Sequence, residues 1–354
     1  MLNYSGLNRI QTLHILTHQQ GAIGIITLNR PEALNATSYE MVLAIDAALT
    51  AFADNDSIKH IAITSGSDRA FCAGGDIRAA YVAMNDGDID ACEMYFRAEY
   101  QLVHRLATFP KPIYAFINGL CLGGGMGISA HCTARIAGEN ALFGMPETAI
   151  GFFPDVGAAY FYNQFSDPTE GMYLALTGNK FNRDHAIRNG IATHAINKTH
   201  WESVMEQLTA GQSLETCELK TAEVMPTAFD KKFKAAFAHE TLPELIAALP
   251  ANTFNEPYAT SPLSIAVTHA YMQRTHGLSL PDILEQDFAL AMNFLRHGEF
   301  KEGVRALLID KNKTPKWQYP WPDDKTMPPI PCETIEGMFD YSTKIDNLFC
   351  HLRT

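Results

Sequence analysis

Glu147 and Asp155 stand eight residues apart in the run Met145-Pro146-Glu147-Thr148-Ala149-Ile150-Gly151-Phe152-Phe153-Pro154-Asp155-Val156-Gly157, where apolar residues and turn formers surround both acids. An acidic group among apolar neighbours requires a partner or a function. On one helix the two would lie roughly 12 Å apart along the axis. Gly151 and Pro154 argue against an unbroken helix, so a folded-back loop is expected to bring both into one pocket. Two carboxylates sharing a pocket push their pKa values apart, which suits acid and base work. The competing readings are a structural ion pair for Glu147 and, for Asp155, the N-cap of a helix beginning at Val156.

Two glycine clusters could supply the other half of such chemistry. Ala73-Gly74-Gly75-Asp76 follows a strand pattern ending near Thr64, and Gly123-Gly124-Gly125 follows one ending near Ile117. Each precedes a helical pattern. Glycine admits close backbone approach, and the first N–H groups of a helix lack internal partners, so both clusters can aim donors at an anion or a developing oxyanion. Either cluster alone would be read as a tight turn; the pair favours acyl chemistry, where one oxyanion donor contributes on the order of 10² to 10³ in turnover. No Gly-Lys-Ser/Thr follows and Gly-x-Gly-x-x-Gly is absent from both, which removes support for nucleotide chemistry. His131 and Cys132 read as core residues, and the other histidines show no metal-ligand spacing.

The elements that must hold these groups alternate. Residues 23–28 and 58–64 read as strands, separated by a helix with Met41, Ile45, Leu49 and Phe52 on one face. Residues 113–117 form an apolar strand, 118–125 a glycine-rich turn and 126–132 a short buried helix, an alternation that indicates α/β architecture. Helical patterns dominate later, near 168–176, 183–189, 201–210, 262–276 and 281–297. Ser261-Pro262 starts one of them and Gly298 stops another. The proline-rich and charged stretch 313–331 reads as an extended surface segment. The expected division is a core over 10–210 and a C-terminal helical region with an extended tail over 211–354.

The chain has 354 residues, 47% hydrophobic and 19% charged, enough for a sizeable core. Its formal charge of −12, without a basic cluster, argues against a nucleic-acid partner, although a few local cations would suffice for an anionic small molecule. Cys72, Cys92, Cys121, Cys132, Cys217, Cys332 and Cys350 are scattered, with no Cys-x-x-Cys, as in a reducing compartment. Residues 1–20 show neither a signal core nor an Arg-rich transit pattern, and no run approaches membrane-spanning length, so a cytoplasmic protein without a membrane partner is expected.

Three segments resemble landmarks of the crotonase (enoyl-CoA hydratase/isomerase) superfamily: Leu28-Asn29-Arg30-Pro31-Glu32-Ala33-Leu34-Asn35-Ala36, Phe71-Cys72-Ala73-Gly74-Gly75-Asp76-Ile77-Arg78, and Asn118-Gly119-Leu120-Cys121-Leu122-Gly123-Gly124-Gly125. The resemblance implies a crotonase-like spiral of ββα units followed by helices, and an acyl-CoA substrate. It places the backbone N–H groups of Gly75 and Gly124 on the thioester oxygen. No cofactor and no metal are expected, since coenzyme A is part of the substrate, and a trimer or a dimer of trimers is the implied assembly. Arg30, Arg78 and Lys111 are candidates for the CoA phosphates, Phe71 and Tyr81 for the pantetheine channel.

Hydratases of this superfamily carry a Glu two residues beyond Gly-Gly-Gly, where this chain has Gly127. They carry a second at the position of Glu147, and usually glycine at that of Asp155. The run 145–160, Ser261-Pro262, Phe300-Lys301-Glu302-Gly303-Val304-Arg305-Ala306 and Leu308-Ile309-Asp310-Lys311 instead resemble the 3-hydroxyisobutyryl-CoA hydrolase branch. That resemblance implies Glu147 and Asp155 as catalytic carboxylates and adds Glu99 and Gly124 to the substrate site. By itself Glu99, in Phe96-Arg97-Ala98-Glu99-Tyr100 on a helical pattern, would be read as a solvated charge, the 300–311 motif as structural, and Glu302 with Arg305 as a surface ion pair. The implied activity is hydrolysis of a short branched 3-hydroxyacyl-CoA from valine breakdown. The alternatives are an enoyl-CoA hydratase or isomerase and a non-catalytic acyl-CoA-binding protein.

Overall fold

Among the described residues ten short strands form: Ile15–Gln20 (β1), Ile23–Leu28 (β2), His60–Ser65 (β3), Ala70–Cys72 (β4), Ile113–Ile117 (β5), Leu120–Leu122 (β6), Ala134–Ala137 (β7), Leu142–Gly144 (β8), Phe181–Asn182 (β9) and His194–Ala195 (β10). They belong to a computed structural model that describes residues 13–225, 229–250, 253–254, 260–324, 326–340 and 348–349. Cys350 and the first twelve residues, on which part of the N-terminal reading rests, lie outside the described residues.

Two sheets form, one of six strands in the order β1-β2-β3-β5-β7-β10 and one of four in the order β4-β6-β8-β9. Pairing from β2 through β3, β5 and β7 is parallel. Each strand pair β3–β4, β5–β6 and β7–β8 gives its first strand to the large sheet and its second to the small one. The intervening helices are Tyr39–Ala53 (α1), Ile77–Asp86 (α2), Ile89–Thr108 (α3) and Gly124–Ser129 (α4). This is the ββα spiral.

Local sequence explains the main helices. In α1, Ser38 accepts from the Met41 N–H as N-cap, and Met41, Ile45, Leu49 and Phe52 are all buried. In α3, Asp88 caps the start, and Cys92, Phe96, Tyr100, Val103 and Leu106 lie on the buried face. That face packs against the helix Leu280–His297, which begins with Ser279 as N-cap and a first-turn proline and ends at Gly298 in the left-handed conformation. The structure departs from the expected single turn over 118–125, because β6 lies inside it. A three-residue strand shows no alternation of its own; its place is fixed by β4 and β8 on either side. The helix expected from Met126 begins two residues earlier, at Gly124.

Candidate active site

Glu147 opens a one-turn helix, Glu147–Ile150, that Gly151 ends at φ 70°. A Cβ at Gly151 would meet the Glu299 carbonyl at 2.3 Å, so this turn lies directly against the helix Glu299–Val304. Phe152 then anchors the loop in an aromatic cluster, with ring centroids 5.6 Å from Phe96, 5.4 Å from Phe294 and 4.7 Å from Phe300. The chain folds back rather than continuing as a helix, and Glu147 and Asp155 line the same cavity.

The next helix starts at Ala158, not Val156, and Asp155 is not its side-chain cap. The Ala158 N–H is satisfied by the Asp155 backbone carbonyl at 2.9 Å. The Asp155 carboxylate is thereby free to turn inward, where Oδ2 accepts the Tyr100 hydroxyl at 2.7 Å. Glu99, one residue earlier on α3, is buried rather than solvated, and its Oε1 accepts the Tyr95 hydroxyl at 3.0 Å. Glu147 is buried too, and its Oε2 has no hydrogen-bond partner among the described residues. Three carboxyl groups therefore converge on one cavity of about 630 Å³, within the size range of small-molecule sites.

Gly75 and Gly124 line the same cavity. Thr37 donates to the Gly74 carbonyl at 2.9 Å and accepts from the Asp76 N–H at 2.8 Å, a parallel bridge that leaves the intervening Gly75 N–H pointing the other way. That nitrogen would lie 3.2 Å from a Cβ at Gly124, the first residue of α4, whose N–H belongs to a helix N-terminus. A Cβ at the neighbouring Gly123 would stand 2.4 Å from Glu147 Oε1, and Gly123 itself has φ 51°. Only glycine fits there. The two amides thus share a corner of the cavity with the carboxyl groups, an arrangement suited to polarising a carbonyl beside an acid or base.

Burial pushes all three carboxyl groups up, and the Asp155 charge adds to the rise at Glu99 and Glu147. Desolvation first, then the charge of Asp155, raises Glu99 to about 8. Desolvation raises Asp155 to about 7 against the bond from Tyr100, and desolvation followed by the Asp155 charge raises Glu147 well above the usual range. Above the ordinary carboxyl values, the unfolded chain has released these protons while the native pocket retains them. The contribution of these groups to stability is therefore full below about pH 4 and is lost as pH rises toward about 8. Thermal unfolding should show Glu99→Gln gaining melting temperature relative to the parent as pH rises from 5 to 8, because the variant lacks one of these retained protons; equal slopes in the two proteins would contradict it.

Gly127 faces a filled space. Val156 sits at φ 51°, a conformation costly for a β-branched residue, and a Cβ at Gly127 would approach its Cβ to 2.8 Å. Helix propensity alone favours Gly127→Glu by up to about 1 kcal/mol, whereas overpacking against Val156 costs about 1–3 kcal/mol. Net destabilisation is expected in denaturant titration, with no gain of crotonyl-CoA hydration. A variant that is more stable and hydrates would overturn this packing argument.

Sequence reasoning missed Tyr95 and Tyr100, the two hydroxyls that hold Glu99 and Asp155; the Tyr95/Glu99 spacing of i and i+4 was the available signal. It also read the 300–311 motif as structural, yet Phe300, Leu307 and Leu308 form part of the cavity wall. Glu302 and Arg305 do pair, through two contacts of 2.7 Å. Arg30 and Arg78 lie at the cavity, with Arg30 bonded to Asp76 at 2.7 Å. Lys111 does not: it donates to the carbonyls of Phe52 and Asn55 at the end of α1. Phe71 is wholly buried core, and Tyr81 packs against the core outside the cavity lining.

A spiral of ββα units with glycine amides beside buried acids defines a class, and residues 23–329 match the protein-family model described as enoyl-CoA hydratase/isomerase. The chain belongs to that family. It is 36% identical over 326 residues to the mitochondrial 3-hydroxyisobutyryl-CoA hydrolase of Gallus gallus, covering 86% of this chain and 84% of that one. It is also 32% identical over 353 residues to the small ribosomal subunit protein mS47 of Schizosaccharomyces pombe, covering 92% and 82%. Among solved structures, an enoyl-CoA hydratase from Rhodobacter sphaeroides superposes with a TM-score of 0.80 at 29% identity, covering 92% of this chain and 97% of that one. The cytoplasmic expectation is overturned: relatives from Gallus gallus, Danio rerio and Xenopus tropicalis are named as mitochondrial proteins. Cysteine usage reports redox state, which does not single out the cytoplasm. Among the described residues no helix is long and apolar enough to cross a membrane.

Proposed function

We propose that this protein hydrolyses the CoA thioester of a short branched 3-hydroxy acid, with 3-hydroxyisobutyryl-CoA as substrate and valine breakdown as its setting. The observation that carries this reading is the buried Glu147, with one oxygen unpartnered, in a cavity shared with Asp155, Glu99 and the Gly75 and Gly124 amides. The named hydrolase relatives support it.

In this reading the two amides take the thioester oxygen as it gains charge. Glu147 acts on the carbonyl carbon, either by forming an acyl anhydride as the CoA thiolate leaves or by taking a proton from the attacking water. Repeated turnover in heavy-oxygen water tests the first route, since an anhydride attacked at the enzyme carbonyl leaves label in Glu147 and the general-base route never does. Asp155, aimed by Tyr100, orients the substrate 3-hydroxyl or the water, and Glu99 completes the acyl pocket. Burial and the Asp155 charge disfavour the ionised form of Glu147 that either route requires, so kcat/KM is expected to rise with pH. No cofactor takes part.

A site built to bond a hydroxyl rejects an analogue lacking it strongly, because its polar groups are left unpaired. Thiol release should show kcat/KM for 3-hydroxyisobutyryl-CoA exceeding that for isobutyryl-CoA by about 10²-fold or more; equal values would remove the hydroxyacyl assignment. The mS47 relative favours a second reading, a non-catalytic assembly protein. Catalytic turnover of any acyl-CoA decides against it.

A further inference from the structure

The peptide joining Val156 to Gly157 is held from both sides. His131 Nε2 meets the Val156 carbonyl at 3.1 Å, and the Gly157 N–H donates to Asp287 Oδ2 at 2.7 Å. Because a carbonyl can only accept, Nε2 is the protonated ring nitrogen of His131. Asp287 comes from the helix Leu280–His297, 130 residues further along the chain, and its other oxygen meets the Tyr271 hydroxyl. Both Asp287 and Tyr271 are fully buried. Whatever the protonation state of Asp287, Oδ2 remains an acceptor for Gly157.

This clamp acts where the backbone is strained. Val156 at φ 51° occupies a conformation that β-branched residues avoid, so surrounding contacts must impose it. The residue immediately before it is Asp155. If the 156–157 peptide relaxed, the Asp155 carboxylate would swing away from Tyr100, and Val156 would leave the space beside Gly127.

We infer that Asp287 and His131 are positioning residues, which fix the 156–157 peptide and thereby aim Asp155 into the cavity. The inference rests on the role proposed above for Asp155. It ties the C-terminal helical region to the acid in the N-terminal core, and gives Asp287 a purpose that no contact with substrate supplies.

The test measures kcat and KM for thiol release in Asp287→Ala, Asp287→Asn and Asp155→Asn. Small misplacements of reacting groups can cost about 10²-fold, so Asp287→Ala is expected to lose about 30-fold or more in kcat with KM within about threefold. Asp287→Asn keeps a side-chain oxygen for the Gly157 N–H and should return kcat to within about threefold of the parent, a rescue that general core damage would not show. If Asp287→Ala does not fold, His131→Phe and His131→Gln carry the same comparison, since Gln retains a donor at the place of Nε2. The clamp is overturned if the disrupting variant keeps parental kcat, if the conservative variant is equally damaged, or if KM moves as much as kcat. Should Asp155→Asn itself keep full turnover, the role of Asp155 falls and the inference with it. Loss in Asp155→Asn with parental kcat in Asp287→Ala would remove the clamp alone.

Discussion

Glu147→Gln is expected to abolish thioester hydrolysis, lowering kcat by about 10³-fold or more, because the amide can neither attack the carbonyl nor take a proton. The change preserves shape. It also removes a carboxyl group that burial and the Asp155 charge disfavour in its ionised form, so folding should be retained and the pH 8 melting temperature should not fall. Thiol release together with thermal unfolding separates the two effects. Turnover within tenfold of the parent, in a folded variant, would remove Glu147 from the chemistry.

The second large effect belongs to Asp155→Asn. Asn keeps an oxygen able to accept the Tyr100 hydroxyl, so the loop geometry is expected to persist and the loss to isolate the carboxylate. A fall of about 10² in kcat/KM is expected for the 3-hydroxyacyl substrate, in the range of a lost general-base or orienting group. The effect should be smaller for isobutyryl-CoA, which has no hydroxyl to orient. Equal losses for both substrates would assign Asp155 to the water rather than to the hydroxyl, and no loss for either would end its role.

Much of the scaffold was legible because its signals are local. The periodicity of Met41, Ile45, Leu49 and Phe52, the Ser261-Pro262 start and the Gly298 stop each specify an element through a few neighbouring residues. β6 was not, because three residues carry no alternation and its pairing with β4 and β8 is entirely non-local. The loop carrying Glu147 and Asp155 was foreseeable from Gly151 and Pro154, but its conformation was not. The peptide beside the left-handed Val156 is bonded by His131 and Asp287, which no local rule connects to residue 156.

Glu99 shows the same limit from the other side. Taken alone it reads as a surface charge, yet Phe96 and Val103, at i−3 and i+4, place it on the buried face of α3. Tyr95 and Tyr100 went unnoticed because a tyrosine on a helix is ordinarily core, and only the acids opposite them reveal what their hydroxyls hold. The 300–311 motif looked purely structural until the turn at Gly151 brought Phe300 and its neighbours to the cavity wall.

In the proposed function a hydratase-like cavity, with Gly127 closed off by Val156 and Asp155 added beside Glu147, cleaves a thioester instead of adding water to a double bond. Free thiol and enoyl absorbance should be followed in parallel on one preparation, with 3-hydroxyisobutyryl-CoA and crotonyl-CoA as substrates. Catalytic release of free CoA from the hydroxyacyl thioester is expected, with no loss of enoyl absorbance from crotonyl-CoA. Rapid loss of enoyl absorbance without thiol release would contradict it.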